Sequence, residues 1–172
     1  AFMDAIPQSP TLEFTVARDG SQQTVQGTYL FPPVIAGVSP QSAALAAGLA
    51  TDDVIVAIDG NPIFAFDQLK TAVESGNGAP MDLAIWRSGE TLSVTLSPKR
   101  VDEPQPDGGF KTEWRIGVAG AMAFEPLTET PGIGTALWNG VEQTGRIIQG
   151  SLSGLGHMIT GAISTCNLSG PI

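Results

Sequence analysis

PVIAGVSPQSAALAAGLATDDVIVAIDG, residues 33–60, contains two short strands, one short helix and two turns that its own residues enforce. Val34, Ile35 and Val38 make the first strand β-branched and apolar, and Ser39-Pro40 closes it. Proline has no N–H to donate to a ladder and presets φ for a turn. Ser42 is placed to accept a hydrogen bond from a free N–H of a first helical turn, and the alanines at 43, 44, 46 and 47 favour the helix that follows. Gly48 supplies the left-handed residue that ends it, with Leu49 able to fold back on the last turn. Residues 54–58, VIVAI, read as a second apolar strand, which Asp59-Gly60 stops with a tight turn. Asp52 and Asp53 shape the loop into that strand rather than forming a catalytic carboxylate pair. The run describes a compact binding module before it describes an enzyme.

The flanking residues continue the same unit. Phe66, Leu69, Ala72 and Val73 recur at spacings of three and four, which predicts a helix over 66–74, and Gly76-Asn77-Gly78 stops it. Residues 83–86 and 91–96 alternate as strands around the Arg87-Ser88-Gly89 turn, and Pro98 ends the unit. The order of strand, Pro-x-Ser-Ala-Ala helix, Ala-Gly-Leu, Asp-Val-Ile-Val-Ala-Ile-Asp-Gly strand, helix and hairpin resembles the bacterial type of PDZ domain. The resemblance implies an α+β fold, a partly open β-barrel or sandwich with two short helices.

Composition bounds the function. The chain has 172 residues, enough for one or two domains, and 42% of them are hydrophobic. Its formal charge of -9 argues against nucleic acid or an anionic membrane as the main partner, since both require a basic face. A lone Cys166 forms no internal disulfide, so cysteine usage does not reveal the compartment. No signal peptide is visible, and the start without methionine, in mid-pattern, leads us to expect a fragment of something longer.

Residues 11–20, TLEFTVARDG, align without gaps on residues 80–89, PMDLAIWRSG, with Arg18 over Arg87 and Gly20 over Gly89. Both copies lead alternating apolar residues into an Arg-x-Gly turn and then a polar strand containing Val25 or Val94. We therefore expect residues 1–30 to be the C-terminal part of a first PDZ-like domain; an unrelated hairpin is the alternative. Phe31-Pro32-Pro33 would join it to a complete domain at 31–120. Within that domain, the proline-, glycine- and charge-rich stretch 99–111 reads as an exposed linker.

Residues 112–120, TEWRIGVAG, return to strand character. PDZ domains add an extended peptide to a sheet edge and take its terminal carboxylate in a loop of backbone N–H groups. Arg115-Ile116-Gly117-Val118 resembles such a loop, displaced to the C-terminal side as in permuted bacterial members. The resemblance implies peptide binding at Arg115, Ile116, Gly117 and Val118, with Phe66, Leu69, Ala72 and Val73 as the opposite wall. A plain closing strand has the same residue pattern.

Catalytic chemistry is sparse. His157 is the only histidine, and neither Cys-x-x-Cys, His-Glu-x-x-His nor a Gly-x-Ser-x-Gly elbow occurs, so no catalytic or metal-binding residue is assigned. The last third, 121–172, reads as a membrane-adjacent amphipathic helical segment: Leu137, Val141, Ile148, Leu152, Leu155, Ile159 and Ile163 fall at helical spacing. Residues 147–172 carry no formal charge, yet their glycines, serines and threonines make a helix lying on the membrane a better reading than one spanning it. Gly150-x-x-x-Gly154 would permit close approach of another helix.

The ending, GHMITG at 156–161 and CNLSGPI at 166–172, resembles the segment after the periplasmic PDZ region of bacterial site-2 proteases, intramembrane zinc metalloproteases of the regulator of sigma-E type. The resemblance is greatest to members with tandem PDZ domains. It implies a parent enzyme that holds zinc and cuts membrane-protein substrates after an earlier cleavage outside the membrane. It also implies a location at the periplasmic face of the inner membrane, contacts with the protease's own membrane domain, and no cofactor in this segment. The family's zinc-binding helix and later Asp-Gly ligand have no counterpart here, so catalytic residues do not carry over. The expected role is a regulatory region that filters or recognises trimmed substrates or their C-terminal peptides. Two alternatives are a PDZ adaptor of an envelope or secretion complex and the PDZ domain of a serine protease.

Overall fold

A computed structural model describes residues 6–105, 110–124 and 130–159. The chain divides into two compact units, one of Ala1–Lys99 with Trp114–Glu125 and one of Arg100–Glu113 with Pro126–Ile172.

The first unit opens with a hairpin of β1 (Thr11–Arg18) and β2 (Ser21–Thr28), paired from Thr11↔Thr28 to Arg18↔Ser21. Next come β3 (Ile35–Val38), α1 (Ala43–Ala46), β4 (Val54–Ile58) and the two-residue β5 (Asn61–Pro62). α2 (Phe66–Ser75), β6 (Met81–Arg87) and β7 (Glu90–Leu96) follow. The central sheet runs β5-β4-β6-β7, all antiparallel. The helix starts where the sequence predicts: the Leu45 N–H donates to Ser42 Oγ at 3.1 Å, satisfying a first-turn donor that has no helical acceptor.

The core collects one face of each element: Ile35, Ala44, Leu49, Ile55, Ile58, Leu69, Val73, Met81, Leu83, Ile85, Leu96 and Ile116. Each large apolar side chain fully removed from water contributes about 1.5–3 kcal/mol, so this cluster is the main source of the unit's stability. A smaller cluster of Leu12, Tyr29 and Ala65, ringed by Ile6, Phe14, Phe31 and Phe64, joins the hairpin to the domain. Tyr29 and Phe64 meet edge to face with centroids 5.6 Å apart, as do Phe14 and Phe124 at 5.0 Å.

The stretch expected to be an exposed linker at 99–111 is in large part paired. β8 (Lys99–Pro104) and β9 (Phe110–Arg115) form a two-stranded sheet, with Thr112 Oγ1 donating to Asp102 Oδ1 at 2.6 Å. Its charges leave Val101 as the one apolar aliphatic residue of the strand, and pairing with β9 holds it where burial does not. β10 (Val118–Gly120) returns to the first unit, pairing with β3.

In the second unit, α3 (Ile133–Ile159) is a single helix that leaves Ile133, Leu137, Trp138, Val141, Ile148, Leu152, Leu155 and Ile159 exposed. Phe110 Cζ lies 3.8 Å from where a Cβ would stand at Gly154, while Gly150 faces open space. Among the described residues no helix is long and apolar enough to cross a membrane. The expected Ile163 of the helical stripe, Cys166 and the 167–171 motif lie outside the described residues, as does the side chain of His157.

Candidate functional site

The two segments expected to face each other do so. β10 pairs with β3 through Val118↔Val38, Ala119↔Gly37 and Gly120↔Ile35, the register shifting at the last step. The turn before it is pinned to α1: the Ala44 N–H donates to Ile116 O at 2.9 Å and the Ser39 N–H to Gly117 O at 2.8 Å. Gly117 has φ +82°, and a Cβ there would collide with Ser42 Cβ. Only glycine meets both demands, a left-handed backbone and direct contact with the helix cap.

α2 forms the other wall. Arg115 Nη1 donates to Glu74 Oε1 at 2.7 Å, and at the far end a Cβ on Gly120 would stand 2.7 Å from the Phe66 ring. The strand segment 115–120 and the helix therefore run antiparallel, Arg115 beside the helix's last turns and Gly120 beside its first residue. Trp114 braces the same end, its ring 2.5 Å from a Cβ position at Gly78.

The predicted site residues divide by depth. Leu69, Val73 and Ile116 are 1%, 3% and 4% exposed and belong to the core beneath the cleft. Phe66, Ala72 and Val118 are partly buried and pack against that core from its edge. Arg115 and Gly117 are intermediate. Strand and helix are thus bridged at both ends, by the Arg115–Glu74 pair and by the Phe66 ring beside Gly120. Sequence reasoning missed Glu74, Trp114 and Gly120. Nothing in the local pattern marks Glu74 as Arg115's partner, because the two are 41 residues apart.

A second polar feature holds the frame. Asp53, 0% exposed, takes a two-pronged ion pair from Arg87: Nε donates to Oδ1 at 2.6 Å and Nη2 to Oδ2 at 2.7 Å. Nη2 also donates to Gly48 O at 2.8 Å, and the Ala50 N–H donates to Asp53 Oδ2 at 2.8 Å. The Arg87 hydrogen bonds outweigh burial and hold the Asp53 carboxyl below its ordinary value, while Arg87 is pushed up. The pair ties the loop between α1 and β4 to the end of β6. Asp53 is therefore a structural lock, held by the Arg87 ion pair and the Ala50 N–H. Among the described residues no group of three His, Cys, Asp or Glu side chains could hold a metal ion.

Residues 34–87 match the PDZ domain family. The whole chain extends the relationship. It is 32% identical over 150 residues to a Rhizobium meliloti protein named as a zinc metalloprotease, covering 87% of this chain and 40% of that protein. It is 36% identical over 146 residues to the regulator of sigma-E protease RseP of Salmonella typhimurium, covering 81% and 31%. With the zinc metalloprotease RasP of Geobacillus kaustophilus it shares 30% over 148 residues, covering 86% and 32%. A PDZ domain of an SdrC-like protein from Listeria monocytogenes superposes with a TM-score of 0.43 at 18% identity, over 56% of this chain and 93% of that one. The chain carries a PDZ domain and is homologous over most of its length to site-2 proteases, spanning less than half of each relative.

Proposed function

We propose that this chain is the periplasmic PDZ regulatory region of an intramembrane zinc metalloprotease, which filters or recognises membrane-protein substrates already trimmed outside the membrane. The observation that carries the reading is a PDZ unit with a glycine turn and a strand edge facing α2, set within a segment homologous to zinc metalloproteases. Relatives of that name favour it over an envelope adaptor or a serine protease.

A cleft bridged at both ends favours exclusion as the resting behaviour. A bulky folded domain is kept out sterically, while a freed C-terminus ending in small apolar residues is the occupant whose carboxylate suits Arg115 and the Gly117 turn. The exposed apolar stripe of α3, with Trp138 on it, fits a helix resting at the membrane surface or on the protease's membrane domain. Deleting residues 31–120 from the full-length protease tests the sieve. Cleavage of untrimmed substrate should rise on the order of tenfold, as expected when a rejecting element is removed. Continued refusal of untrimmed substrate by the deleted enzyme sinks the reading.

A further inference from the structure

We infer that β7 is a self-association edge: it pairs antiparallel with the β7 of a second copy of this chain, about a two-fold axis at Ser93. The central sheet has two edges. One is β5, only two residues long and ending in Pro62, which gives an incoming strand little to pair with. The other is β7, seven residues with no proline and, after Glu90, no charge. Among the described residues β6 is its one strand partner, in a register unbroken from Arg87↔Glu90 to Met81↔Leu96. A regular, uncharged edge of this kind is what natural sheets guard against with a lysine, a proline or a bulge.

The hairpin decides which hydrogen-bonding groups of β7 are spare. A two-residue turn makes Arg87 and Glu90 a hydrogen-bonded pair, and alternation then assigns the N–H and C=O of Leu92, Val94 and Leu96 to β6 as well. Thr91, Ser93 and Thr95 therefore aim theirs away from β6, and all three residues are exposed. Among the described residues none of these backbone groups has another backbone partner.

The strand is also complementary to itself. Residues 91–95, TLSVT, read nearly the same in both directions. A two-fold axis at Ser93 sets that residue opposite its own copy and Thr91 opposite the Thr95 of the second copy, all at hydrogen-bonding positions. Pairs of this kind exchange two bonds each, about six in all. On the core side Leu92 comes opposite the Val94 of the second copy, at the spacing where side chains approach closest. Both are only partly buried at the margin of the main core, and each gains an apolar neighbour. No like charges meet, since Glu90 falls opposite Leu96. The contact closes on itself, so it yields dimers rather than fibres. About five residues a side is a small interface, and the dimer is a weak, reversible one.

The test is sedimentation equilibrium of this chain over a range of concentrations, beside variants of the axis residue. The native chain should show a reversible monomer–dimer equilibrium. Ser93→Pro removes a donor that the β6 ladder does not use, and should weaken the dimer about tenfold for the two hydrogen bonds lost at the axis. Ser93→Lys brings like charges together there and should weaken it about fivefold, with an unchanged thermal melt to exclude a folding defect. Trp138→Ser, on the exposed stripe of α3, should leave the equilibrium as it is. Dimers that survive both Ser93 variants, or that are lost in Trp138→Ser alone, place the contact elsewhere and overturn the proposal. A native chain that stays monomeric up to about millimolar concentration overturns it too, even if it binds a synthetic peptide of residues 90–96; the edge would then take a foreign strand and not a second copy.

Discussion

The hairpins β1–β2 and β6–β7 share one sequence pattern and one local geometry but not one fate. Both run in unbroken antiparallel register into a left-handed two-residue turn, Asp19-Gly20 at φ 51° and 74° and Ser88-Gly89 at φ 50° and 93°. Leu83 and Ile85 are wholly buried in the main core, whereas their counterparts Phe14 and Val16 are only partly covered. Arg87 locks Asp53, while Arg18, its counterpart, is exposed. Turn residues and alternation are enough to make a hairpin; what the hairpin contributes depends on the elements laid against its apolar face. The second has β4 on its edge and α2 among its core neighbours. The first has the satellite cluster.

The largest separation between the two should come from truncating the apolar face. Leu83→Ala should cost about 2–5 kcal/mol in chemical denaturation, and Phe14→Ala less, since its ring is only partly covered. Equal losses would mean that the hairpins are equally embedded. Next is the arginine. Asp53→Asn should cost about 2 kcal/mol, below the usual figure for a broken buried pair because Arg87 is 37% exposed and can rehydrate. Arg18→Ala should change stability by under about 0.5 kcal/mol.

The same pair gives a pH signature. The Asp53 carboxyl sits lower folded than its unfolded value of about 4, so its contribution is fully present above that value. It is lost as pH falls through the lower folded value. Acid titration of stability should therefore show a steeper decline below about pH 4 in the native protein than in Asp53→Asn; parallel curves would remove Asp53 from the account. The smallest contrast should be at the turns. Gly20→Ala and Gly89→Ala each force a side chain into the left-handed region with nothing within 4 Å to clash. Each should cost about 1 kcal/mol, read by thermal melts of the region concerned. A large inequality would show that the turns are not locally determined.

Much of the fold was legible because its signals are short in range. Pro40, Ser42, Gly48 and Asp59-Gly60 act on their immediate neighbours, and the α2 face repeats within a single helix. The strand at 99–104 was not legible, because its charges and flanking prolines outweigh one valine in any pattern reading, and pairing with β9 supplies what burial does not. In the candidate site, the resemblance to PDZ domains implied that 115–118 and α2 face each other, but the bridging of their two ends by Arg115–Glu74 and by Phe66 beside Gly120 was not legible.

By itself the sequence determined the order of strands, helices and turns in residues 33–98, the two-residue β5 apart, since caps, breakers and alternation express steric and hydrogen-bonding limits felt over a few residues. Tertiary structure alone decided that Arg87 rather than Arg18 finds an aspartate, across 34 residues of chain. It also decided that Leu69, Val73 and Ile116 sink into the core, and that the Phe66 ring packs beside Gly120. Those outcomes depend on which distant surfaces compete for the same space, and a linear pattern holds no record of that competition.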